Sequence, residues 1–331
     1  MRKIFGVLAV LLFITGCEQK TKPIVKKDKD KIDVASHPFD ADSAFAYVKA
    51  QTDFGPRTPE SEAHEACANF LMTKLTQFCD TAIVQPFVAK TYDGKRFNSQ
   101  NIIGSFAPEK ENRILLGAHW DSRHIADMDS DPEKRNLPID GANDGASGVG
   151  VLIELARQLQ INSPEIGIDI IFFDAEDYGT PSGENIDGDW WCLGSQHWTT
   201  HPHRENYRAD YGILLDMVGA TDAKFSHEGF SIFYASQILS KVWGTANRLG
   251  YGNYFINQRA NPITDDHYYV NKLAHIPMIN IVHQDKNTGT GFFPHWHTQN
   301  DNIHIIDKNT LQAVGKVLLE VIYGEQAPEN Q

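Results

Sequence analysis

The eleven residues GIDIIFFDAED, at 167–177, join a mostly apolar run to an acidic cluster at its end. A short run rich in isoleucine and phenylalanine is typical of a strand covered on both faces. A second stretch has the same form, since RILLGAHWDS at 113–122 passes from apolar residues to a histidine and an aspartate. Two buried strands that end in metal-ligating residue types predict an α/β fold with a site at one edge of its sheet.

The rest of the chain repeats this alternation of strands and helices. Further apolar runs predict strands at 101–106, 211–217 and 278–282. Helix-length segments occur at 146–160, 236–249 and 307–323. Asp40 and Pro59 are expected to begin two earlier helices. With no repeat after residue 40, the sequence predicts one α/β domain, 36–324, with a central mixed, mostly parallel sheet, helices on both faces and a C-terminal tail, 325–331.

The composition favours a globular, acidic domain. The chain has 331 residues, of which 41% are hydrophobic, and a formal net charge of −13. Residues 1–33 carry eight Lys or Arg and four Asp or Glu, a net +4, so the remainder carries −17. A globule this acidic repels nucleic acid, and we therefore expect no nucleic-acid partner.

The N-terminal segment has the pattern of an export signal. Arg2 and Lys3 precede an apolar run at 4–14, which is about half of the ~20 residues that a spanning helix needs. The run leads into ITGC at 14–17, and the segment resembles a bacterial lipoprotein signal peptide. The resemblance implies a signal peptide at 1–16, a lipidated Cys17, and a charged tether over 17–35. It also implies a periplasmic protein that touches a membrane, inner or outer, through its lipid anchor only; an ordinary signal with an incidental cysteine is the alternative.

Three further cysteines, an odd number, cannot all pair within one chain. Cys67 and Cys79 could form a disulfide bond, or could be two half-buried thiols, and the sequence leaves both possibilities open. Cys192 has no evident partner.

Five positions place a histidine or a carboxylate where a sheet of this kind would present it. They follow the predicted strands, begin the predicted helix at 146–160, or stand in a later loop: His119, Asp144, Asp177, Asp216 and His297. A single carboxylate at a strand end is more often a helix cap or a solvated residue. Two imidazoles and three carboxylates together are the ligand set of Zn²⁺ or a similar divalent ion.

Two neighbours of these residues suggest supporting roles. Asp121 lies two residues after His119, so strand periodicity would point both side chains the same way and let Asp121 accept the second ring N–H. Glu176 precedes Asp177 directly. If one of these two carboxylates binds the metal, the other stays free beside it as a general acid and base.

Five short motifs together carry a family resemblance. They are AHWDS at 118–122, FFDAED at 172–177, GSQH at 194–197, TDDH at 264–267 and WHT at 296–298. As a set they resemble the glutaminyl-peptide cyclotransferase branch of the zinc-dependent exopeptidase superfamily, over roughly residues 40–323. The resemblance implies a zinc exopeptidase-like fold.

The resemblance also implies roles for particular residues. One zinc ion per chain would be held by Asp144, Asp177 and His297, with Glu176 as proton shuttle. Asp216 and Asp265 would be catalytic carboxylates beneath the substrate, sharing a proton. An apolar wall would include Trp296, with Trp190 or Trp191 and Phe292 or Phe293. The family more often has Glu at position 177, so the shorter aspartate requires a small shift of the metal or of the backbone.

The implied reaction is cyclisation of the N-terminal glutamine of peptides or proteins to pyroglutamate, with release of ammonia. The main alternative is an aminopeptidase with two zinc ions, in which His119 and Asp216 bind the second ion and Asp144 bridges. Asp265 and Trp296 favour the cyclase, because peptidases of this superfamily tend to lack both features. A surface protein that only binds peptides or glycans is the third possibility, and the intact set of chemical groups argues against it.

Overall fold

The computed structural model describes residue 1 and residues 37–325. The predicted signal peptide, Cys17 and tether lie outside these residues, as does the tail after residue 325. Residues 37–325 belong to one compact unit, Ala35–Gln331. Within the described part of the chain, no helix combines the length and the apolar character needed to cross a membrane.

A six-stranded sheet forms the centre of the domain, with strand order β1-β2-β4-β3-β5-β8. Its strands are β1 Thr81–Lys90, β2 Arg96–Phe106, β3 Arg113–His119, β4 Gly167–Phe173, β5 Tyr211–Asp216 and β8 Met278–Val282. The four strands β4, β3, β5 and β8 are parallel, whereas β2 pairs antiparallel with both β1 and β4. The short strands β6 Phe225–His227 and β7 Phe255–Arg259 form a separate pair. The predicted mixed, mostly parallel sheet is confirmed.

Helices cover both faces of the sheet, as predicted. They are α1 Ala41–Thr52, α2 Glu62–Phe78, α3 Ala146–Ile161, α4 Leu193–Thr200, α5 Gly229–Arg248, α6 Asp266–Tyr269 and α7 Lys308–Gly324. Alternate residues of β3 face opposite sides: Ile114 packs in the large cluster with α1, α2, α3, α5 and α7, and Leu115 packs with Trp198 of α4. Each fully buried leucine or isoleucine contributes about 1.5–3 kcal/mol to stability.

The one charged residue inside β4, Asp169, forms a buried ion pair with Arg113. Asp169 accepts hydrogen bonds from the guanidinium of Arg113 at 2.6 and 3.0 Å, and from Ser105 and Tyr207 at 2.5 and 2.7 Å. Burial raises the pKa of Asp169, but these donors and His203 outweigh it and hold that pKa well below its usual value. The pair ties β4 to β3 at the end of the sheet away from the site.

Several predicted boundaries were wrong. Helix α2 begins at Glu62 and not at Pro59, because the hydroxyl of Ser61 caps it by accepting the N–H of His64 at 3.1 Å. Helix α5 begins at Gly229, where Glu228 caps it; the non-helical backbone of Ala235 divides the helix where the sequence pattern predicted its start. The edge strand β1 and the helix α4 had not been predicted. Strand β1, TAIVQPFVAK, has Pro86 in its middle, a residue that occurs in strands almost only at the edge of a sheet.

The three cysteines in the described part of the chain are free thiols. Cys67, Cys79 and Cys192 form no disulfide bond among the residues described. Cys67 is fully buried on α2 and Cys79 is partly exposed, so the open choice between a bridge and free thiols resolves to free thiols.

Candidate active site

The three predicted zinc ligands converge at the carboxyl edge of the parallel strands. The ligand atoms of Asp144, Asp177 and His297 all lie within 4.8 Å of one another, and all three side chains are buried. His297 Nε2 lies 3.2 Å from Asp177 Oδ1 and 3.8 Å from Asp144 Oδ2. The loop after β4 supplies Asp177, the turn before α3 supplies Asp144, and a loop residue with φ of 54° supplies His297. The shorter aspartate at position 177 therefore still reaches the cluster.

Other buried carboxylates fix the backbone that carries two of these ligands. Asp301 accepts the N–H groups of Asn143 and Asp144 at 2.7 and 3.1 Å. Asp121 accepts the N–H groups of Glu176 and Asp177, both at 3.1 Å. These hydrogen bonds to backbone N–H groups hold the two ligand-bearing turns in place.

Asp121 also lies beside His119. Its Oδ1 lies 3.5 Å from His119 Nδ1, and that ring nitrogen has no hydrogen-bond partner in the described part of the chain. Strand β3 ends at His119, so the two-residue periodicity behind the expectation does not extend to residue 121. Asp121 contacts both the His119 ring and the backbone of the Glu176–Asp177 turn.

His119 lies between two carboxylates. Its Nε2 is 3.0 Å from Asp144 Oδ1 and 3.4 Å from Asp216 Oδ1, and these three side chains form a second group whose ligand atoms lie within 4.8 Å of one another. Burial lowers the pKa of His119, but the surrounding aspartates outweigh it and raise that pKa well above its usual value. The geometry accommodates the predicted role as a ligand of a second metal ion, and it equally accommodates a role as hydrogen-bond donor to Asp144, which the sequence did not suggest.

The residues predicted to act in catalysis line one cavity of about 420 Å³ with the metal-ligand cluster; they are Glu176, Asp216 and Asp265. Burial raises the pKa of Glu176 well above its usual value, and the neighbouring carboxylates add to this while His119 opposes it. Burial raises the pKa of Asp216 to about 8, with His119 opposing and Asp265 contributing. Asp265 is held in place by Asn280 Nδ2, at 2.5 Å from its Oδ2.

The structure shows which tryptophan and which phenylalanine of the two neighbouring pairs, Trp190 or Trp191 and Phe292 or Phe293, line the cavity. Trp191 and Phe292 line the cavity together with Trp296. Phe293 instead packs into the protein and is 1% exposed, and the indole N–H of Trp190 donates to the carbonyl of Asp187. Trp296 stacks on His297 with ring centroids 3.6 Å apart, and Phe292 lies 4.6 Å from Trp296.

The unpartnered atoms of the cluster fit a divalent cation. Asp144 Oδ2 and both carboxylate oxygens of Asp177 are buried and have no hydrogen-bond partner in the described structure. Leaving such atoms unpaired is costly, and burial raises the pKa of Asp177 for the same reason. Two carboxylates and an imidazole, with room beside them in the cavity, are the donor set of a catalytic zinc site.

Cys192 is among the residues of this site that had not been predicted. Cys192 has a backbone φ of 58°, donates its N–H to the carbonyl of Glu176 at 3.0 Å, and donates its thiol to Glu176 Oε1 at 3.2 Å. Its sulfur, Glu176 and Asp265 form a third group of closely spaced ligand atoms. Burial raises the pKa of the thiol well above its usual value, so Cys192 is a hydrogen-bond donor and not a thiolate. No local sequence pattern marks it.

The sheet order and a metal-ligand cluster at the carboxyl edge define an α/β protein of the zinc exopeptidase-like fold. Residues 101–322 match peptidase family M28, and the chain belongs to that family.

Three known proteins illustrate the range of similarity. A solved structure, the glutaminyl cyclase of Tannerella forsythia, is 52% identical, with a TM-score of 0.85 over 87% of this chain and 99% of that one. Aminopeptidase YwaD of Bacillus subtilis (strain 168) is 29% identical over 68% of this chain and 44% of its own length. The glutaminyl-peptide cyclotransferase of Bothrops jararaca is 26% identical over 66% of this chain and 63% of its own length. The match therefore spans less than two thirds of either curated relative.

Proposed function

We propose that this protein is a zinc-dependent glutaminyl cyclase, which converts the N-terminal glutamine of peptides or proteins to pyroglutamate and releases ammonia. The observation that carries the proposal is a single cavity that joins the metal-ligand cluster, Glu176 and the Trp296 wall. The 52% identity to the Tannerella forsythia glutaminyl cyclase, over nearly all of that chain, supports the same activity. The products formed from a Gln-initiated peptide test it.

Asp144, Asp177 and His297 would hold one zinc ion. When bound, zinc supplies Lewis-acid polarisation of the side-chain amide oxygen of the substrate. The bond that forms joins the α-nitrogen to the side-chain amide carbon, and the bond that breaks releases ammonia. Both reacting groups belong to one residue, so no second substrate has to be bound.

Glu176 is the group placed to move the proton. Its Oε1 accepts from Cys192, which fixes one oxygen and leaves the carboxyl group facing the cavity. In its ionised form it accepts a proton from the α-amine, whose ordinary pKa is about 7.7–8.0, and returns a proton to the departing nitrogen. Asp265 and Asp216 line the same cavity and provide acceptors for the amine.

Substrate orientation falls to the aromatic wall. The glutamine side chain must fold back on its own amine, and holding that conformer lowers the entropic part of the barrier. Trp296, Phe292 and Trp191 offer apolar surfaces beside the metal-ligand cluster that fit this task.

We expect Asp265→Ala and Trp296→Ala each to lower kcat/KM for Gln-initiated peptides by at least ~10-fold, about 1.4 kcal/mol of transition-state stabilisation. The Asp265→Ala variant lacks the carboxylate that accepts from the substrate amine. The Trp296→Ala variant lacks the indole that stacks on His297 and forms part of the cavity wall. Initial rates of ammonia release measure both effects. Phe233→Ala, which changes an aromatic side chain that is 74% exposed, is the control and should stay at the wild-type rate. Unchanged rates in both test variants would contradict their assigned roles.

Cys192 gives a further prediction. Cys192→Ala removes the thiol that donates to Glu176, and we expect kcat to fall by roughly 2- to 10-fold with KM nearly unchanged, because an ordinary hydrogen bond contributes about 0.5–1.5 kcal/mol and a thiol is a weak donor. Cys192→Ser keeps a donor of similar size and should retain most of the activity. Steady-state kinetics of the two variants separate a donor role from simple packing. Equal losses in both would argue against it.

An aminopeptidase is the second candidate, and one observation favours it. His119, Asp144 and Asp216 could hold a second metal ion, since their ligand atoms lie within 4.8 Å of one another. In that arrangement Asp144 would bridge two ions and Glu176 would activate a water molecule. Release of an N-terminal leucine, and two tightly bound zinc ions, would identify this activity.

We further propose that the protein is a lipoprotein, anchored through Cys17 and facing the periplasm. The support is the sequence of residues 1–17 alone, which has a basic start, a short apolar run and ITGC. Buried acyl chains contribute about 0.8 kcal/mol per methylene to membrane binding. Cys17→Ala should remain uncleaved or leave the lipid-modified pool; an unchanged detergent-phase fraction with unchanged gel mobility would contradict the proposal.

A further inference from the structure

Arg123 and Asp127 lie in the polar segment between β3 and α3, four residues apart, and pair with each other. Arg123 Nη2 is 2.8 Å from Asp127 Oδ2. The guanidinium is fully buried, and the carboxylate side chain is only 10% exposed. A buried arginine in a loop is costly unless its donors are satisfied.

Asp127 reaches the metal ligand His297. Its Oδ1 lies 3.2 Å from His297 Nδ1, on the side of the ring opposite the nitrogen that faces Asp144 and Asp177. The loops are joined by backbone as well, since the N–H of Met128 donates to the carbonyl of His297 at 3.2 Å. In the described structure the Asp127–His297 pair is a close charge contact, and Nδ1 has no aligned hydrogen-bond partner. A metal on Nε2 leaves the ring proton on Nδ1, and a small rotation of the ring brings that N–H onto Asp127 Oδ1.

Arg123 reaches the other side of the cluster. Its Nη1 donates to the backbone carbonyls of Asp177 and Gly179, both at 3.0 Å, and its Nη2 donates to that of Thr180 at 3.1 Å. The guanidinium carbon also lies 4.7 Å from the ring centroid of Trp191, part of the aromatic wall. One arginine therefore contacts the turn carrying a metal ligand and a residue lining the cavity.

We propose that Arg123 and Asp127 form a clamp that positions the metal site: Asp127 sets the tautomer and orientation of His297, and Arg123 fixes the turn of Asp177 and the plane of Trp191. They are positioning residues, because they act on the metal through its ligands. The clamp rests on the metal site of the proposed function and not on the reaction catalysed there, so it holds equally for an aminopeptidase.

Asp127 would affect zinc binding because a metal-bound imidazole is oriented by a hydrogen bond from its second ring nitrogen. A carboxylate on the second ring nitrogen fixes the ring and strengthens it as a ligand, and its loss typically weakens metal binding 10–100-fold. Arg123 keeps Asp127 ionised and immobile by pairing with it, while the N–H of Ser182 donates to the same Oδ2 at 2.7 Å. The planar guanidinium donates hydrogen bonds to four residues at once, which the single ammonium of lysine cannot reproduce; the four residues are Asp127, Asp177, Gly179 and Thr180.

The test measures zinc affinity in the absence of substrate. The metal-free full chain is titrated with zinc against a chromogenic chelator at fixed pH, for wild type, Asp127→Asn and Glu133→Gln. Glu133 is an exposed acid of the same segment and serves as the matched control for loss of one negative charge. We expect the Kd for zinc to rise 10–100-fold in Asp127→Asn and to stay within about 2-fold of wild type in Glu133→Gln. Equal affinity in Asp127→Asn and wild type would overturn the clamp.

Two further variants keep the test decisive. If Asp127→Asn does not fold, as judged by circular dichroism of the metal-free protein, Asp127→Glu retains the charge for Arg123 but displaces the carboxylate from His297. The clamp then predicts a rise in the Kd for zinc, and an unchanged Kd overturns it.

Arg123→Lys should weaken zinc binding and raise KM more than it lowers kcat, because Trp191 loses its stacking partner. Since zinc affinity is measured without turnover, failure of the clamp and failure of the cyclase proposal are distinguishable.

Discussion

Glu176→Gln is expected to lower turnover by ~10²–10⁴-fold or more while the protein keeps its zinc. The substitution preserves the size of the side chain and removes its ability to exchange a proton. Glu176 is beside the metal-ligand cluster but is not among the three side chains that form it, so metal binding should survive. Kinetics with a Gln-initiated peptide, together with zinc analysis of the same sample, measure both quantities.

An exposed glutamate in the same loop provides the control for Glu176→Gln. Glu184 is exposed on the loop that follows Asp177, and Glu184→Gln should keep the wild-type rate. If Glu176→Gln retains a near wild-type rate, Glu176 is not the proton shuttle. If instead the variant loses its zinc, Glu176 belongs to the metal site, and Asp177 has been given the wrong role.

Removal of the metal is expected to have a comparably large effect. Prolonged chelation should abolish activity, and zinc should restore it at about one equivalent per chain, because Asp144, Asp177 and His297 form one complete ligand group. Circular dichroism of the metal-free protein should remain close to that of the holoenzyme, since Asp121 and Asp301 hold the ligand-bearing turns through backbone hydrogen bonds.

The stoichiometry also separates the two candidate enzymes. A requirement for two tightly bound equivalents would bring His119 and Asp216 into direct metal coordination. That result would favour the aminopeptidase and contradict the one-zinc site. Asp216→Asn provides an independent check, because it should leave the one-zinc stoichiometry unchanged in a cyclase and reduce two ions to one in a dinuclear peptidase.

The elements that could be predicted from the sequence are those with a local signal. β3 and β4 are nearly continuous apolar runs, and parallel strands share one carboxyl edge, so His119 and Asp177 could be assigned to a common site before any coordinates. Asp144 and His297 could be assigned to the same site because they stand at a predicted helix start and in a loop near that edge. The structure brings these four side chains together.

What could not be predicted depends on contacts between distant segments. Cys192 donates to Glu176 across 16 positions, and Asp127 reaches His297 from a loop 170 residues earlier. Neither contact corresponds to a recognisable residue spacing in the sequence. The contacts of Asp121 with the backbone of Glu176 and Asp177 could not be predicted for a related reason, because they join segments 55 and 56 residues apart. Local patterns locate ligands; the residues that position them emerge only from the fold.

The most direct test of the central claim is mass spectrometry of a Gln-initiated peptide after incubation with the purified zinc-loaded domain. A cyclase leaves the chain intact and lowers its mass by the mass of one ammonia molecule, and a parallel peptide beginning with leucine should be unchanged. Loss of the ammonia mass from the Gln peptide, together with an unaltered Leu peptide, is the result that we predict. Removal of the N-terminal residue from the Leu peptide, with the Gln peptide uncyclised, would contradict the cyclase and identify an aminopeptidase.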